Sequence, residues 1–211
     1  ITRMLSCGCA LVLSLLCAAV LHAEAPAIEW FTGHGTASGE HVHEGCQTRD
    51  GGYVAIGQAY RDDEPYMLIV KVDSDGDLEW QQTFGGAGRR AIGYCVAEVP
   101  DGYILGGNLH DASCQRMQRF LAKLDCAGNT VWERSYGAPG IGAIRGIDIT
   151  SDGGIVATGY TNGPDTEEFR EFVFIADGGD GFVGFIMKLD AEGSVEWEKS
   201  IDAPQGTKVR E

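Results

Sequence analysis

Three stretches decide the reading: Lys71–Trp80 (KVDSDGDLEW), Lys123–Trp132 (KLDCAGNTVW) and Lys188–Trp197 (KLDAEGSVEW). In each, Asp follows Lys by two residues, Gly follows that Asp by three, and Trp follows the Gly by four. A second phrase alternates with the first: Asp50-Gly51-Gly52-Tyr53, Asp101-Gly102-Tyr103 and Asp152-Gly153-Gly154-Ile155, with the three Asp spaced evenly by 51 residues. A fixed period of this length marks stacked supersecondary units, each too small to bury its apolar faces alone.

Each period holds four short segments rich in β-branched and aromatic residues, bounded by Gly, Asp, Asn or Pro. In the middle copy they are Ile92–Val99, Tyr103–Leu109, Gln118–Asp125 and Thr130–Tyr136. The first copy reads as His41–Thr48, Gly52–Tyr60, Tyr66–Asp73 and Leu78–Phe84, and the third as Ala143–Thr150, Gly153–Thr161, Phe182–Asp190 and Val195–Ile201. Four antiparallel strands joined by tight turns make one propeller blade. The expected fold is therefore all-β: three β-propeller blades at about 41–84, 92–136 and 143–201, in a repeat domain covering 24–211. A further strand is expected at 28–32, around Trp30, and Lys208–Glu211 reads as the opening of another unit. Three blades do not close a ring, so the expectation is an incomplete propeller, a piece of a longer one or a chain that pairs with copies of itself.

The Asp-x-x-Gly-x-x-x-Trp phrase resembles the repeat of quinoprotein (PQQ) dehydrogenase-like propellers, and with the Asp-Gly-Gly-Tyr phrase it looks like the repeats of exported bacterial-type propeller proteins. The resemblance covers roughly residues 27–207. It implies that Trp30, Trp80, Trp132 and Trp197 dock between blades, a structural role; it implies no cofactor site, and a fold of this kind hosts many activities.

Composition narrows the functional classes. A formal net charge of −15 over 211 residues opposes nucleic-acid and anionic-membrane binding, both of which call for basic patches. The 44% hydrophobic content is that of a globular chain. Residues 1–23 read as a secretory signal: an apolar run from Cys9 to Val20, too short for a membrane span, then Leu21-His22-Ala23. The expected location is secreted or extracellular, periplasmic in a Gram-negative cell. Four cysteines follow the signal: Cys46, Cys95, Cys114 and Cys126. Cys114 and Cys126 stand at opposite ends of a strand spanning roughly 26 Å, too far for a bridge. Cys46 and Cys95, on first strands of neighbouring copies, form the more credible disulfide, beside the alternative of reduced buried thiols.

Candidate chemistry is sparse. Asp73, Asp75 and Asp77 alternate around Gly76 like the start of a calcium loop, but the other copies keep the Gly while the ligand positions vary, as in a plain turn, and no Glu stands at the twelfth position. His41 and His43, with His34 upstream, would share one side of a strand, yet no third or fourth zinc ligand follows. The run Gly85–Arg90 lacks the Lys-Ser/Thr of a phosphate loop and reads as a link between blades. No Gly-x-Ser-x-Gly elbow is present. The departure from repetition is more telling. Between the second and third segments of the last copy the chain swells to 162–181, carrying Asp165, Glu167, Glu168, Phe169, Glu171 and Phe172. Loops that break a repeat gather on one face, often the binding face. The expected function is a non-catalytic binding or scaffold module that takes a protein or carbohydrate ligand through such loops, with no cofactor. The alternatives are a fragment of an exported enzyme, quinone-dependent or carbohydrate-active, and a structural or adhesive surface repeat.

Overall fold

The computed structural model describes residues 28–34, 39–86, 88–111, 116–137, 142–162 and 182–201. Within these there are twelve strands and no helix. They are β1 (Glu40–Gln47), β2 (Tyr53–Arg61), β3 (Glu64–Val72), β4 (Leu78–Phe84), β5 (Ala91–Val99), β6 (Gly102–Asp111), β7 (Arg116–Asp125), β8 (Thr130–Tyr136), β9 (Gly142–Ile149), β10 (Ile155–Asn162), β11 (Phe182–Leu189) and β12 (Val195–Ile201). All twelve coincide with the expected segments to within two residues at each end. They form three four-stranded antiparallel sheets, each ordered as the chain runs: β1–β4, β5–β8 and β9–β12. Residues 28–34 are irregular, so the strand expected at 28–32 is not formed there. The signal at 1–23, the 163–181 insert, Cys114 and the 208–211 tail lie outside the described residues.

The sheets pack face to face in sequence. Strand β5 lies against β1, β2 and β3, and β9 lies against β5, β6 and β7. Alternation along a strand sends successive side chains to opposite faces, and the middle sheet fills both. Tyr103 and Leu105 of β6 join Val54, Ile56, Met67 and Ile69 of the first sheet in one core. Ile104 of the same strand joins Ile144, Ile155, Ala157, Phe185 and Met187 in the next.

The repeated phrases lock each sheet and then fasten it to its neighbour. Asp73, Asp125 and Asp190 each accept two backbone N–H bonds through Oδ1, from Asp75 and Asp77, Ala127 and Asn129, and Glu192 and Ser194, at 2.7–3.1 Å. This closes the third-to-fourth-strand turn. Gly76, Gly128 and Gly193 sit in that turn at φ of 84°, 82° and 78°, where a side chain is strained. Two of these glycines, Gly128 and Gly193, are also seats. A Cβ on Gly128 would stand 2.7 Å from the Trp80 ring, and one on Gly193 would stand 2.9 Å from Trp132. Trp80 donates its indole N–H to Cys126 O at 3.2 Å and lies 5.5 Å from the Tyr103 ring, tilted by 60°. Tyr136, four residues after Trp132, donates to Gly193 O at 2.7 Å, and Arg134 donates to Glu192 O at 2.9 Å. Each Trp thus presses on the turn of the following sheet. Trp197 has no described sheet beyond it and is 42% exposed.

The two phrases also meet within a sheet. The Lys of one reaches beneath the Asp turn of the other: Lys71 Nζ is 3.0 Å from Asp50 and 2.5 Å from Glu79, Lys123 is 2.8 Å from Asp101, and Lys188 is 3.2 Å from Asp152 and 3.5 Å from Glu196. Lys71 is only 1% exposed, so the pairing and its bond to Val72 O at 3.0 Å are what permit its burial. Burial alone would lower the Lys71 pKa; its bonds to Glu79 and then Asp50 outweigh that and hold it above the ordinary lysine value. Asp50 is held down to about 2, first by the Thr48 hydroxyl, then by the Gly52 N–H, then by Lys71. Asp152 is held to about 2 by the same set: Thr150, Gly154 and Lys188.

The calcium-loop reading of Asp73, Asp75 and Asp77 gives way to the turn: Asp73 Oδ1 is committed to backbone N–H groups, as Asp190 is, and as Asp125 is in a copy with no flanking carboxylate. The Cys46–Cys95 bridge is not formed. Cys46 is a free thiol packed against the core between sheets one and two, whereas Cys95 is buried in the core between sheets two and three. Cys126 is an exposed free thiol.

Two outcomes are expected. Trp132→Ala costs about 2–3 kcal/mol in urea melts, below the value for a fully buried indole because the ring is partly exposed, while Trp197→Ala changes stability by less than about 0.5 kcal/mol; equal losses would contradict the seating. Groups with depressed carboxylate pKa stabilise the fold above the ordinary value and lose that contribution as pH falls through the folded one. Stability therefore declines between the ordinary 3.8 and about 2, and the Asp50→Asn/Asp152→Asn double variant shows a shallower decline in melts across that range. An unchanged slope would refute the assignment.

Candidate functional site

The first strand of each sheet skips one residue in its pairing. The register breaks between Val42 and Glu44 in β1, between Gly93 and Cys95 in β5, and between Ile144 and Gly146 in β9. The bulged residues are His43, Tyr94 and Arg145, again 51 apart. A bulge re-aims a side chain and sharpens the local twist, and bulges recur beside binding sites. Each is admitted by a glycine on the second strand. A Cβ on Gly57, Gly107 or Gly159 would stand 1.8, 2.1 or 2.1 Å from the carbonyl oxygen of His41, Ile92 or Ala143.

The bulged side chains contact one another from sheet to sheet. The His43 and Tyr94 rings are 5.0 Å apart at 33°, and the Arg145 guanidinium carbon lies 3.9 Å from the Tyr94 ring centroid. His43 Nδ1 is 2.6 Å from Gly93 O, which fixes the proton on Nδ1 and leaves Nε2 as the acceptor. Burial lowers the His43 pKa, opposed by the bond to Gly93 O and assisted by Arg145 and His41. Tyr94 is buried, and burial raises its pKa, opposed by the neighbouring Arg145 and Asn108. At neutral pH the ladder is a neutral imidazole, a protonated phenol and a guanidinium.

Polar side chains flank it. His41 Nδ1 accepts from Gln58 Nε2 at 3.2 Å, and Gln58 also donates to Tyr60 at 2.8 Å. Asn108 is 2% exposed and its Oδ1 has no hydrogen-bond partner among the described residues. The arrangement supplies stacking and hydrogen bonds. His41 and His43 both commit Nδ1, and the bulge at His43 breaks the alternation that would have set the two rings on one side. Among the described residues no three His, Cys, Asp or Glu side chains are grouped to hold a metal.

The site residues expected from sequence are thus dispersed. Trp80 and Trp132 are seated between sheets, Trp197 is exposed, and Trp30 is 36% exposed in an irregular segment. Asp165, Glu167, Glu168, Phe169, Glu171 and Phe172 lie outside the described residues. The ladder was missed because its three members differ in type; its signal was the shared 51-residue step and a glycine in the following strand. No protein-family model matches the chain, and no curated protein matches it.

His43 is expected to titrate below 6.5 in an NMR pH series. A depressed histidine is protonated more readily when unfolded, so its contribution is complete above 6.5 and falls with pH below it. A His43 midpoint at or above 6.5 would contradict its placement.

Proposed function

We propose that the three sheets are blades of a larger β-propeller, resembling the quinoprotein-type repeat, that serves as an exported, non-catalytic binding module. The observation that carries this reading is Trp197. Trp80 and Trp132 rest on the Gly turn of a following sheet; Trp197, with Val195 and Ile201 beside it, is exposed at the same place in its own sheet. A further blade with the same turn would cover it, as part of a longer chain or as another copy. The other end supports the same reading. His34 Nε2 is 3.1 Å from Gly76 O, the bond Tyr136 makes to Gly193 O. His34 follows Trp30 by four residues, as Tyr136 follows Trp132, so His34 stands where the last strand of a preceding blade would place its residue.

The partner, a protein or carbohydrate, is taken at the end where second and third strands meet. There Asp62 and Asp63 turn the chain at φ of 52° and 62°, and there the 163–181 stretch leaves β10 and returns to β11. Its acids and aromatics at Asp165, Glu167, Glu168, Phe169, Glu171 and Phe172 supply the contacts; a neutral imidazole and a protonated phenol on the inner strands suit recognition better than acid–base chemistry. Deletion of residues 166–176 is expected to remove binding on a glycan array and in pull-downs of extracellular proteins while leaving the melting curve within a few degrees of the parent. Retained binding would overturn the assignment of that loop.

A further inference from the structure

We propose that Arg145 is a binding site for a carboxylate ligand, held ready by the bulged ladder. The inference does not depend on ring closure or on the 163–181 loop. It begins from a contrast among cations. The buried Lys71, Lys188 and Arg119 each have a carboxylate within 3.5 Å, and Lys123 has Asp101 at 2.8 Å. Arg145, half-buried in a chain of net charge −15, makes no ion pair among the described residues. Among the described residues it rests on the face of Tyr94.

The geometry states what the guanidinium is prepared for. At 3.9 Å over the Tyr94 ring, one face of the group is covered and its plane is restrained. Tyr94 cannot yield, because it is itself buried and backed by His43 at 5.0 Å. The bulge that places Arg145 is enforced by Gly159, where any side chain would meet the Ala143 carbonyl. What remains is a planar fork of N–H donors of fixed orientation. Such a fork matches a carboxylate through two parallel bonds, whereas a Lys in its place would present a mobile point charge. The opposing charge of the chain does not prevent this, since at physiological ionic strength charges beyond about 8 Å are largely screened.

The test is a titration of the intact chain with sodium acetate, D-glucuronate, inorganic phosphate and D-glucose, followed by calorimetry and by the Arg145 Nε–H resonance. Acetate and glucuronate are expected to bind and shift that resonance, with glucose silent; glucuronate alone would place the carboxylate on an acidic sugar and still support the site. Arg145→Gln should weaken binding by roughly tenfold or more, the scale of a charge-assisted hydrogen bond. Arg145→Lys, which keeps the charge and so guards against misfolding of the first variant, should weaken it several-fold. No carboxylate binding, phosphate binding with the carboxylates silent, or affinity unchanged in Arg145→Lys would overturn the proposal. Failure here with loss of partner capture on deleting 166–176 would leave the binding-module reading intact.

Discussion

The structure depends on an indole meeting a glycine. In each repeat the third and fourth strands are joined by a turn whose Gly has positive φ, and in the second and third repeats the preceding one lays its Trp on that Gly. Any side chain there would be strained in conformation and would also strike the ring, so one residue answers two demands. The consequence is directional. A sheet offers its Trp forward and its turn backward, and sheets joined in this way stack in chain order. Apolar burial between the sheets supplies the bulk of the driving force, while the Trp–Gly seat fixes the register at which the faces meet.

Much of this was legible in the sequence. The Asp-x-x-Gly-x-x-x-Trp phrase gave the turns and the outer strands, and the 51-residue step gave the number of sheets. Strand ends were read closely because Gly and Asp punctuate every turn. The pairing of the two phrases through Lys71, Lys123 and Lys188 is not legible in the sequence, because it requires the first turn and the third strand to be neighbours in space. The Cys46–Cys95 bridge failed for a related reason. Equivalent strands of neighbouring sheets suggested proximity, but the two residues face different cores. The bulged ladder was invisible to strict alternation, because a bulge is by definition a break in it.

The ladder and the ion-paired lysines show two uses of the same repetition. At the Lys positions the residue type is kept, and the role is structural in every copy. At the bulged position the backbone device is kept while His43, Tyr94 and Arg145 diverge. The backbone stays constant at this aligned position of each first strand while the side chain changes from a neutral ring to a cation. That division places the conserved contacts in the turns and lysines and the varied side chains at the bulge of each first strand.

The central claim is that neighbouring sheets are coupled through the seated indole. A double-mutant cycle of Trp80→Ala and Tyr103→Ala reads it most directly, since the two rings lie 5.5 Å apart across sheets one and two. The account predicts a coupling energy of about 0.5–1.5 kcal/mol, the double variant losing that much less than the sum of the single losses. Losses that add to within about 0.3 kcal/mol would mean that the rings do not meet in solution, and the stacking of the sheets as described would be wrong.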